Sequence, residues 1–128
     1  MQLGNSINWF EIPVTDFDRA KKFYETIFVY EMPEMLMGSL RMGFFLYDMP
    51  SGKVGGAICL GRGLVPSQHG TLVYLNCQPD LLVVSDRVEA AGGVILTSKA
   101  KISEKQDLGF WSTILDTEGN KVALHSMS

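Results

Sequence analysis

One acidic side chain interrupts an otherwise apolar run near the start of the sequence. Glu11 stands between Phe10 and Ile12, in a stretch whose composition is typical of a β-strand. A carboxylate is costly to bury without a partner, so this position favours a general base or a metal ligand. The alternative is a carboxylate that reaches solvent or pairs with an arginine such as Arg41.

The sequence contains two histidines, the residue type best suited to proton transfer near neutral pH. His125 lies in the last apolar run and is interpreted either as a proton donor or ligand, or as a partly exposed residue near the end of the sequence. His69 precedes Gly70 in a segment rich in turn formers, which is more typical of a surface loop. With Glu11, these histidines are three candidate ligands of a divalent metal, and such a site requires that all three converge in the fold.

Four aromatic residues in strand-like runs are candidates for an apolar ligand pocket: Trp9, Phe45, Tyr74 and Trp111. Small-molecule sites are built mainly from such side chains, with a few polar groups that fix orientation. Asn76, two residues after Tyr74, would supply an amide. The competing interpretation is that these rings are ordinary core residues, and for Phe45 the core is the stronger expectation.

Two similar halves, about 65 residues apart, are predicted to position these side chains. The apolar strand-like run 9–14 leads into an amphipathic helix over 16–28, and the run 72–77 leads into a second helix over 79–91. Each helix is followed by short apolar runs bounded by turn residues. The pattern predicts an α+β protein of two βαβββ modules with one helix per module. We expect module one over about 5–61, a linker over about 62–70 and module two over about 71–128, in a single domain.

Composition excludes several classes of function. The 128 residues are 46% hydrophobic and 20% charged with a formal net charge of −3, and no basic stretch suggests a nucleic acid partner. No apolar run is long enough to span a membrane, and the first residues do not resemble a signal peptide, so we expect a cytoplasmic protein. Cys59 and Cys77 lie in apolar runs and are expected to be buried thiols.

Three stretches resemble the vicinal oxygen chelate superfamily, which includes glyoxalase I, extradiol dioxygenases, fosfomycin-resistance proteins and bleomycin-binding proteins. They are the opening 9–16 with the helix residues 20–24, the Ala-Ala-Gly-Gly at 90–93, and the turn 115–120. The last is similar to the family's D-P-x-G-N turn, with Thr117 in place of proline. The resemblance implies that the two modules form a cup-shaped mixed sheet whose concave face holds the ligand.

The resemblance also implies where a metal would bind, since metal-using members place His or Glu on the first and last strand of each module. Carried over, those positions fall on Trp9, on 55–57, on Leu72 and on Ala123. None of these side chains is a usual ligand of a divalent metal. The resemblance therefore implies no standard metal site, and we predict no cofactor; a divalent metal held by Glu11, His69 and His125 is the alternative.

Because strand side chains alternate, residues two along from those positions should point into the same cup. They are Glu11, Tyr74 followed by Asn76, and His125.

Two functions fit these expectations. The first is a lyase or isomerase, or an oxygenase-like enzyme, that acts on a small oxygenated or aromatic molecule with Glu11, Tyr74 and His125 as catalytic residues. The second is a protein that sequesters an antibiotic or toxin without turnover, as bleomycin-binding relatives do. In both, Trp9, Phe45, Asn76 and Trp111 contact the ligand. The resemblance further implies a homodimer.

Overall fold

A computed structural model describes residues 3–128, which form two four-stranded mixed sheets and few helices. The strands of the first sheet are Trp9–Pro13 (β1), Glu34–Met37 (β2), Leu40–Phe44 (β3) and Gly55–Leu60 (β4). Those of the second are Tyr74–Asn76 (β5), Val94–Lys101 (β6), Phe110–Leu115 (β7) and Lys121–Ser126 (β8). The helices are Phe17–Phe28 (α1) and Leu82–Ser85 (α2), with a short 3₁₀ turn at Met49–Ser51. The predicted α+β class with a βαβββ order in each half is confirmed.

The two sheets have the same topology. Their strand orders are β1-β4-β3-β2 and β5-β8-β7-β6. In each, the first strand pairs in parallel with the last, and the remaining pairs are antiparallel. β1 and β5 are therefore edge strands, and each has one side without a strand partner.

Helix α1 forms as the sequence predicts. Asp16 is its N-cap, and the carboxylate accepts a hydrogen bond from the backbone N–H of Arg19 at 3.1 Å. The helix ends at Phe28, and the C-cap residue Val29 adopts a left-handed conformation with φ 58°. Its buried side chains are Phe17, Ala20, Phe23, Tyr24 and Ile27. This stripe belongs to the buried core, where the helix packs on β4 and on the segment of α2.

The second helix is shorter than predicted. Instead of running over 79–91, regular α-helix is confined to Leu82–Ser85, and the following residues form successive turns. Val88 donates its N–H to Ser85 at 3.1 Å, an i to i−3 bond that tightens the backbone beyond α-helical geometry. Asp80 Oδ1 accepts the N–H of Leu82 at 3.0 Å, so the first turn is capped, but the valines that follow are weak helix formers. Leu81, Val84 and Val88 are still buried, so the apolar stripe survives without a regular helix.

The larger of two buried clusters lies between the helices and the sheets and joins both halves, and a smaller one of Met42, Ala57 and Cys59 lies beneath Trp9. Residues from α1, such as Phe23, and residues from the second sheet, such as Leu124, belong to the same buried cluster. Cys59 and Cys77 are buried free thiols, as expected, and burial raises the pKa of each to about 12. Over residues 3–128, the model contains no helix with the length and apolar character needed to cross a membrane.

Candidate functional site

A cavity of about 1000 Å³ lies between the edge strands β1 and β5. Its lining comes from both sheets, from the segment that joins them and from the beginning of β8. The aromatic lining residues are Trp9, Phe10, Phe28, Tyr30, Phe45, Tyr47 and Tyr74. The polar ones are Glu11, Ser67, His69, Thr71, Asn76, Asn120 and Lys121. The volume and the apolar, aromatic lining are typical of a small-molecule site.

The two faces of β1 have different surroundings. Ile12 is buried in the helix-side core and Phe10 packs against it. Trp9 and Glu11 alternate with these residues and face away from the helices. The pairing of Trp9 with Gly55 and of Glu11 with Ala57 places Gly55 and Ala57 beside them on β4.

Glu11 is exposed, and no salt bridge or hydrogen bond to it is found among residues 3–128 other than a contact with a neighbouring thiol. Arg41, the partner suggested by sequence, is instead bound to Glu34 at 2.7 Å and to Asp18 at 3.1 Å. The interpretation of Glu11 as paired with Arg41 is therefore wrong. The neighbouring thiol is Cys59, whose pKa is raised to about 12 by burial first and by the Glu11 charge second. Cys59 is thus a neutral neighbour that leaves the carboxylate charge uncompensated.

Aromatic rings cover the part of β4 beside Trp9. Tyr47 lies directly against Gly55, so that a Cβ at that position would collide with the ring. Trp9 packs edge-on against Tyr47 and against Phe44, with ring centroids 6.0 Å and 5.9 Å apart. These contacts fix Trp9 as one wall of the cavity.

Tyr74 and Asn76 occupy the corresponding face of the second sheet. Their β8 partners are Ala123 and His125 respectively. Tyr74 is 52% exposed and stacks on Trp111 with ring centroids 6.4 Å apart. Both Tyr74 and Asn76 line the cavity that contains Glu11.

His125 lies apart from that cavity. Its Nε2 is 2.8 Å from the carbonyl oxygen of Leu108, and because a carbonyl can only accept, Nε2 donates. Gly109 packs against the same ring. Neither His125 nor Trp111 is among the lining residues that the structure describes, since β5 stands between them and the cavity. Of the four inward polar side chains expected from sequence, the structure brings together Glu11, Tyr74 and Asn76.

Several lining residues were not predicted as site residues. Tyr30 stacks on Phe28 at the end of α1, and Tyr47 reaches the cavity from the segment after β3. Both lie outside the strands: the Tyr30 hydroxyl accepts the N–H of Leu46 at 3.3 Å, and the Tyr47 ring lies against Gly55. Strand alternation does not predict where such side chains point. Phe45, for which the core was the stronger expectation, is both 6% exposed in the core and a lining residue.

The turn between β7 and β8, residues 116–120, closes the cavity at the end of β1. Asn120 donates its amide N–H to the carbonyl of Pro13 at 2.7 Å, and its side-chain oxygen accepts the N–H of Ser67 at 3.0 Å. Asp116 accepts hydrogen bonds from the Tyr24 hydroxyl at 2.7 Å and from the Asn120 side chain at 2.9 Å. Burial, and after it the Asp116 charge, raises the pKa of Tyr24, so the phenol stays a donor.

Glu118, in the same turn, fastens it to the beginning of α1. Its carboxylate accepts the backbone N–H groups of Thr15 at 3.0 Å and Asp16 at 2.7 Å, and Arg19 Nε at 2.8 Å. Burial by itself would raise the pKa of Glu118, but the hydrogen bonds from Arg19, Asp16, Thr117 and Thr15 outweigh it and lower the pKa to about 2. The turn that carried the family resemblance is therefore an electrostatic clamp between the two halves.

Strand register corrects the correspondence between the halves. Trp9 pairs with Gly55 as Tyr74 pairs with Ala123, and the N-caps Asp16 and Leu81 keep the same offset of about 65 residues. The counterpart of Trp9 is thus Tyr74, two residues beyond Leu72. The correction leaves the face unchanged because strand side chains alternate with a period of two.

The residues at the family's metal positions do not fit a divalent metal. After the register correction these positions hold Trp9, Gly55, Tyr74 and Ala123, which offer no carboxylate or imidazole. The space over Gly55 is filled by the Tyr47 ring. Within residues 3–128 there is also no cluster of three His, Cys, Asp or Glu side chains arranged to hold a metal.

We expect treatment with a chelator such as EDTA to leave the melting temperature of the purified protein unchanged. The reason is that Trp9, Gly55, Tyr74 and Ala123 provide no metal-binding energy that folding could use. Differential scanning calorimetry before and after dialysis against EDTA, with metal analysis by mass spectrometry, makes the comparison. A stoichiometric ion whose removal lowers the melting temperature would contradict this expectation.

Comparison with known proteins agrees with the fold. Residues 7–42 match the family described as bleomycin resistance protein-like N-terminal. Similar solved structures include a glyoxalase I mutant from Zea mays, with a TM-score of 0.69 and 17% identity over 94% of this chain and 45% of that one. A glyoxalase/bleomycin resistance protein from Albidiferax ferrireducens has a TM-score of 0.66 and 15% identity over 94% and 97% of the two chains.

A third similar structure, the fosfomycin resistance protein FosX from Listeria monocytogenes, has a TM-score of 0.62 and 17% identity over 98% of this chain and 92% of that one. This chain spans about 45% of the length of the maize enzyme. The search of curated proteins found no match. The structural neighbours establish a glyoxalase/bleomycin-resistance type of fold.

Proposed function

We propose that this protein binds a small aromatic molecule in the cavity between β1 and β5. The family match and the structural neighbours support membership of the vicinal oxygen chelate superfamily, from which the proposal starts. The observation that carries the proposal is the cavity itself, which has about 1000 Å³ of volume and walls of Trp9, Tyr47 and Tyr74. A ring inserted there would exchange water for aromatic contacts on several sides. The polar groups Glu11 and Asn76 would orient it.

Binding is proposed without metal assistance. The positions that relatives use for metal ligands carry the apolar and aromatic side chains of Trp9, Gly55, Tyr74 and Ala123. These side chains favour a ligand that presents a flat surface over one that presents two chelating oxygens. Binding of such a molecule is the function that the cavity supports most directly.

A thermal-shift screen of flat bicyclic and tricyclic compounds tests the proposal. A ligand present at 100 times its Kd stabilises the folded state by about 2.7 kcal/mol, which a melting curve detects. We expect a subset of compounds to raise the melting temperature of the wild type and of Leu82→Ala equally, because Leu82 is exposed on α2 and away from the cavity. Failure of every compound to raise it would count against the function.

Catalysis is a second candidate, because Glu11 and Tyr74 line the same cavity. In this version Glu11 removes a proton from the ligand and the Tyr74 hydroxyl supplies one, as in a lyase or isomerase. His125 takes no part, since its Nε2 is held by Leu108. Mass spectrometry of each bound compound after incubation distinguishes turnover from sequestration. A product formed by the wild type and absent with Glu11→Gln supports catalysis, and recovery of the compound unchanged supports sequestration.

A homodimer is also proposed. The edge strand β2 exposes three neighbouring apolar side chains, Met35, Leu36 and Met37, and exposed edges of this kind invite pairing with another strand. We expect sedimentation equilibrium to give twice the chain mass, and Leu36→Lys to shift the equilibrium toward monomer by introducing a charge at the edge. A monomeric wild type at all concentrations would refute this part of the proposal.

A further inference from the structure

We propose that the ligand of this cavity carries a positive charge beside its aromatic body, and that Glu11 recognises that charge. The inference rests on the proposed binding function and names the chemical class of its ligand. It is carried by one uncompensated carboxylate, the rings around it and the distribution of the other charges.

Glu11 is the only carboxylate among the cavity-lining residues that the structure describes. Other acidic groups near the junction of the halves already have partners: Glu118 is held by Arg19 and two backbone N–H groups, and Asp116 by Tyr24. Glu11 has no salt bridge within the described chain, and its thiol neighbour Cys59 is neutral. A cationic ligand would provide the opposite charge that the fold does not.

The rings beside Glu11 favour the same ligand charge. Trp9 is on the same face of β1 as Glu11, and Tyr47 packs edge-on against Trp9. Across the cavity Tyr74 presents a ring that is 52% exposed. Aromatic faces carry negative electrostatic potential and attract ammonium groups, and a nearby carboxylate adds to that attraction. A neutral ligand would use the rings and leave the carboxylate without a partner.

Lys121 is the other charged residue in the cavity lining that the structure describes. It is exposed and makes no ion pair with Glu11 within 4.0 Å. Its ammonium group should oppose a cationic ligand weakly, because solvent screens an exposed charge. Removing Glu11 and removing Lys121 should therefore change the affinity for a cation in opposite directions.

Three probes with one ring system and different charges test the inference: 2-naphthylmethylamine as a cation, 2-naphthalenemethanol as a neutral molecule and 2-naphthoate as an anion. We expect isothermal titration of the wild type to give the tightest binding for the amine, by about tenfold over the alcohol, and the weakest binding for the carboxylate. Equal affinities for amine and alcohol, or tighter binding of the anion, would overturn the inference while leaving the binding function supported. Binding of none of the three would refute both.

Matched variants locate the charge effect. Glu11→Gln keeps the shape of the side chain and should bring the amine-to-alcohol affinity ratio close to one. Glu104→Gln removes a charge from an exposed loop away from the cavity and should leave the ratio as in the wild type. Lys121→Gln should raise the ratio. A ratio that Glu11→Gln leaves unchanged would show that the preference arises elsewhere and would overturn the assignment to Glu11.

Discussion

Replacing Glu118 with glutamine is expected to lower the free energy of unfolding by about 2 to 3 kcal/mol. The Glu118 carboxylate side chain is 0% exposed and accepts hydrogen bonds from Thr15, Asp16 and Arg19. Glutamine keeps one acceptor oxygen but loses the charge and turns an N–H₂ group toward these donors. The clamp between the halves is thereby weakened on both its backbone and its side-chain contacts.

Urea or thermal unfolding measures this loss, which corresponds to a decrease in melting temperature of roughly 6 to 12 °C for a chain of this size. Glu104→Gln is the matched control, since Glu104 lies in an exposed loop. If Glu118→Gln and Glu104→Gln unfold at the same temperature, the clamp makes no net contribution to stability. A folded but less stable Glu118→Gln protein is the predicted result.

The same carboxylate predicts how stability depends on pH. The pKa of Glu118 is about 2 in the folded protein and near the ordinary value of 4.5 in the unfolded chain. A lowered folded-state pKa stabilises the protein above pH 4.5, and this contribution is lost as the pH falls from 4.5 toward 2. The difference in stability between wild type and Glu118→Gln should therefore be constant near neutral pH and shrink in that acidic range. A difference that stays constant down to pH 2 would contradict the assigned pKa.

Removal of the Trp9 side chain is expected to lower the affinity for aromatic ligands by at least about tenfold, because an aromatic ring that packs against the ligand is lost. Trp9 forms the wall between Glu11 and the Tyr47 ring, and both of its edge-on ring contacts hold it in that position. Trp9→Ala opens this wall to water. Ligand affinity by isothermal titration, using a compound that stabilises the wild type, gives the comparison.

Because Trp9 is half-buried, Trp9→Ala also removes packing contacts within the protein. A second variant that leaves the core intact is therefore needed to attribute the loss of affinity to the ligand contact. Tyr74→Ala serves, since Tyr74 is 52% exposed and faces the cavity from the other sheet. Both substitutions should weaken the ligand, whereas Leu82→Ala should not. If Tyr74→Ala is folded and binds the ligand with wild-type affinity, the ligand does not contact β5, which would contradict a site between β1 and β5.

Local patterns in the sequence predicted the scaffold well where one element determines its own geometry. The α1 stripe and the Asp16 cap specify a regular helix, and strand alternation places Trp9 and Glu11 on one face of β1. The segment after Pro79 has a similar apolar stripe but few regular helical hydrogen bonds, because its β-branched residues pack without them. An apolar stripe indicates burial and does not by itself distinguish a helix from a series of turns.

The site was less predictable because its contacts join distant parts of the chain. Glu118 meets Thr15 across 103 residues of sequence, so the motif 116–120 was visible while its role as a clamp was not. His125 shares a face with Asn76 through strand pairing with it, yet the carbonyl of Leu108 and the position of β5 separate it from the cavity. Tyr47 reaches Gly55 only because the segment after β3 folds back over β4.

The central claim is that the space between β1 and β5 is a ligand site for a cationic aromatic molecule, and a nuclear magnetic resonance titration tests it most directly. In ¹⁵N–¹H spectra recorded with increasing 2-naphthylmethylamine, we expect the largest shift changes at the amides of Trp9, Glu11, Tyr74 and Asn76, with the α2 amides unchanged. Changes that concentrate on α2 and β6, or a spectrum that does not change at millimolar ligand, would contradict the claim.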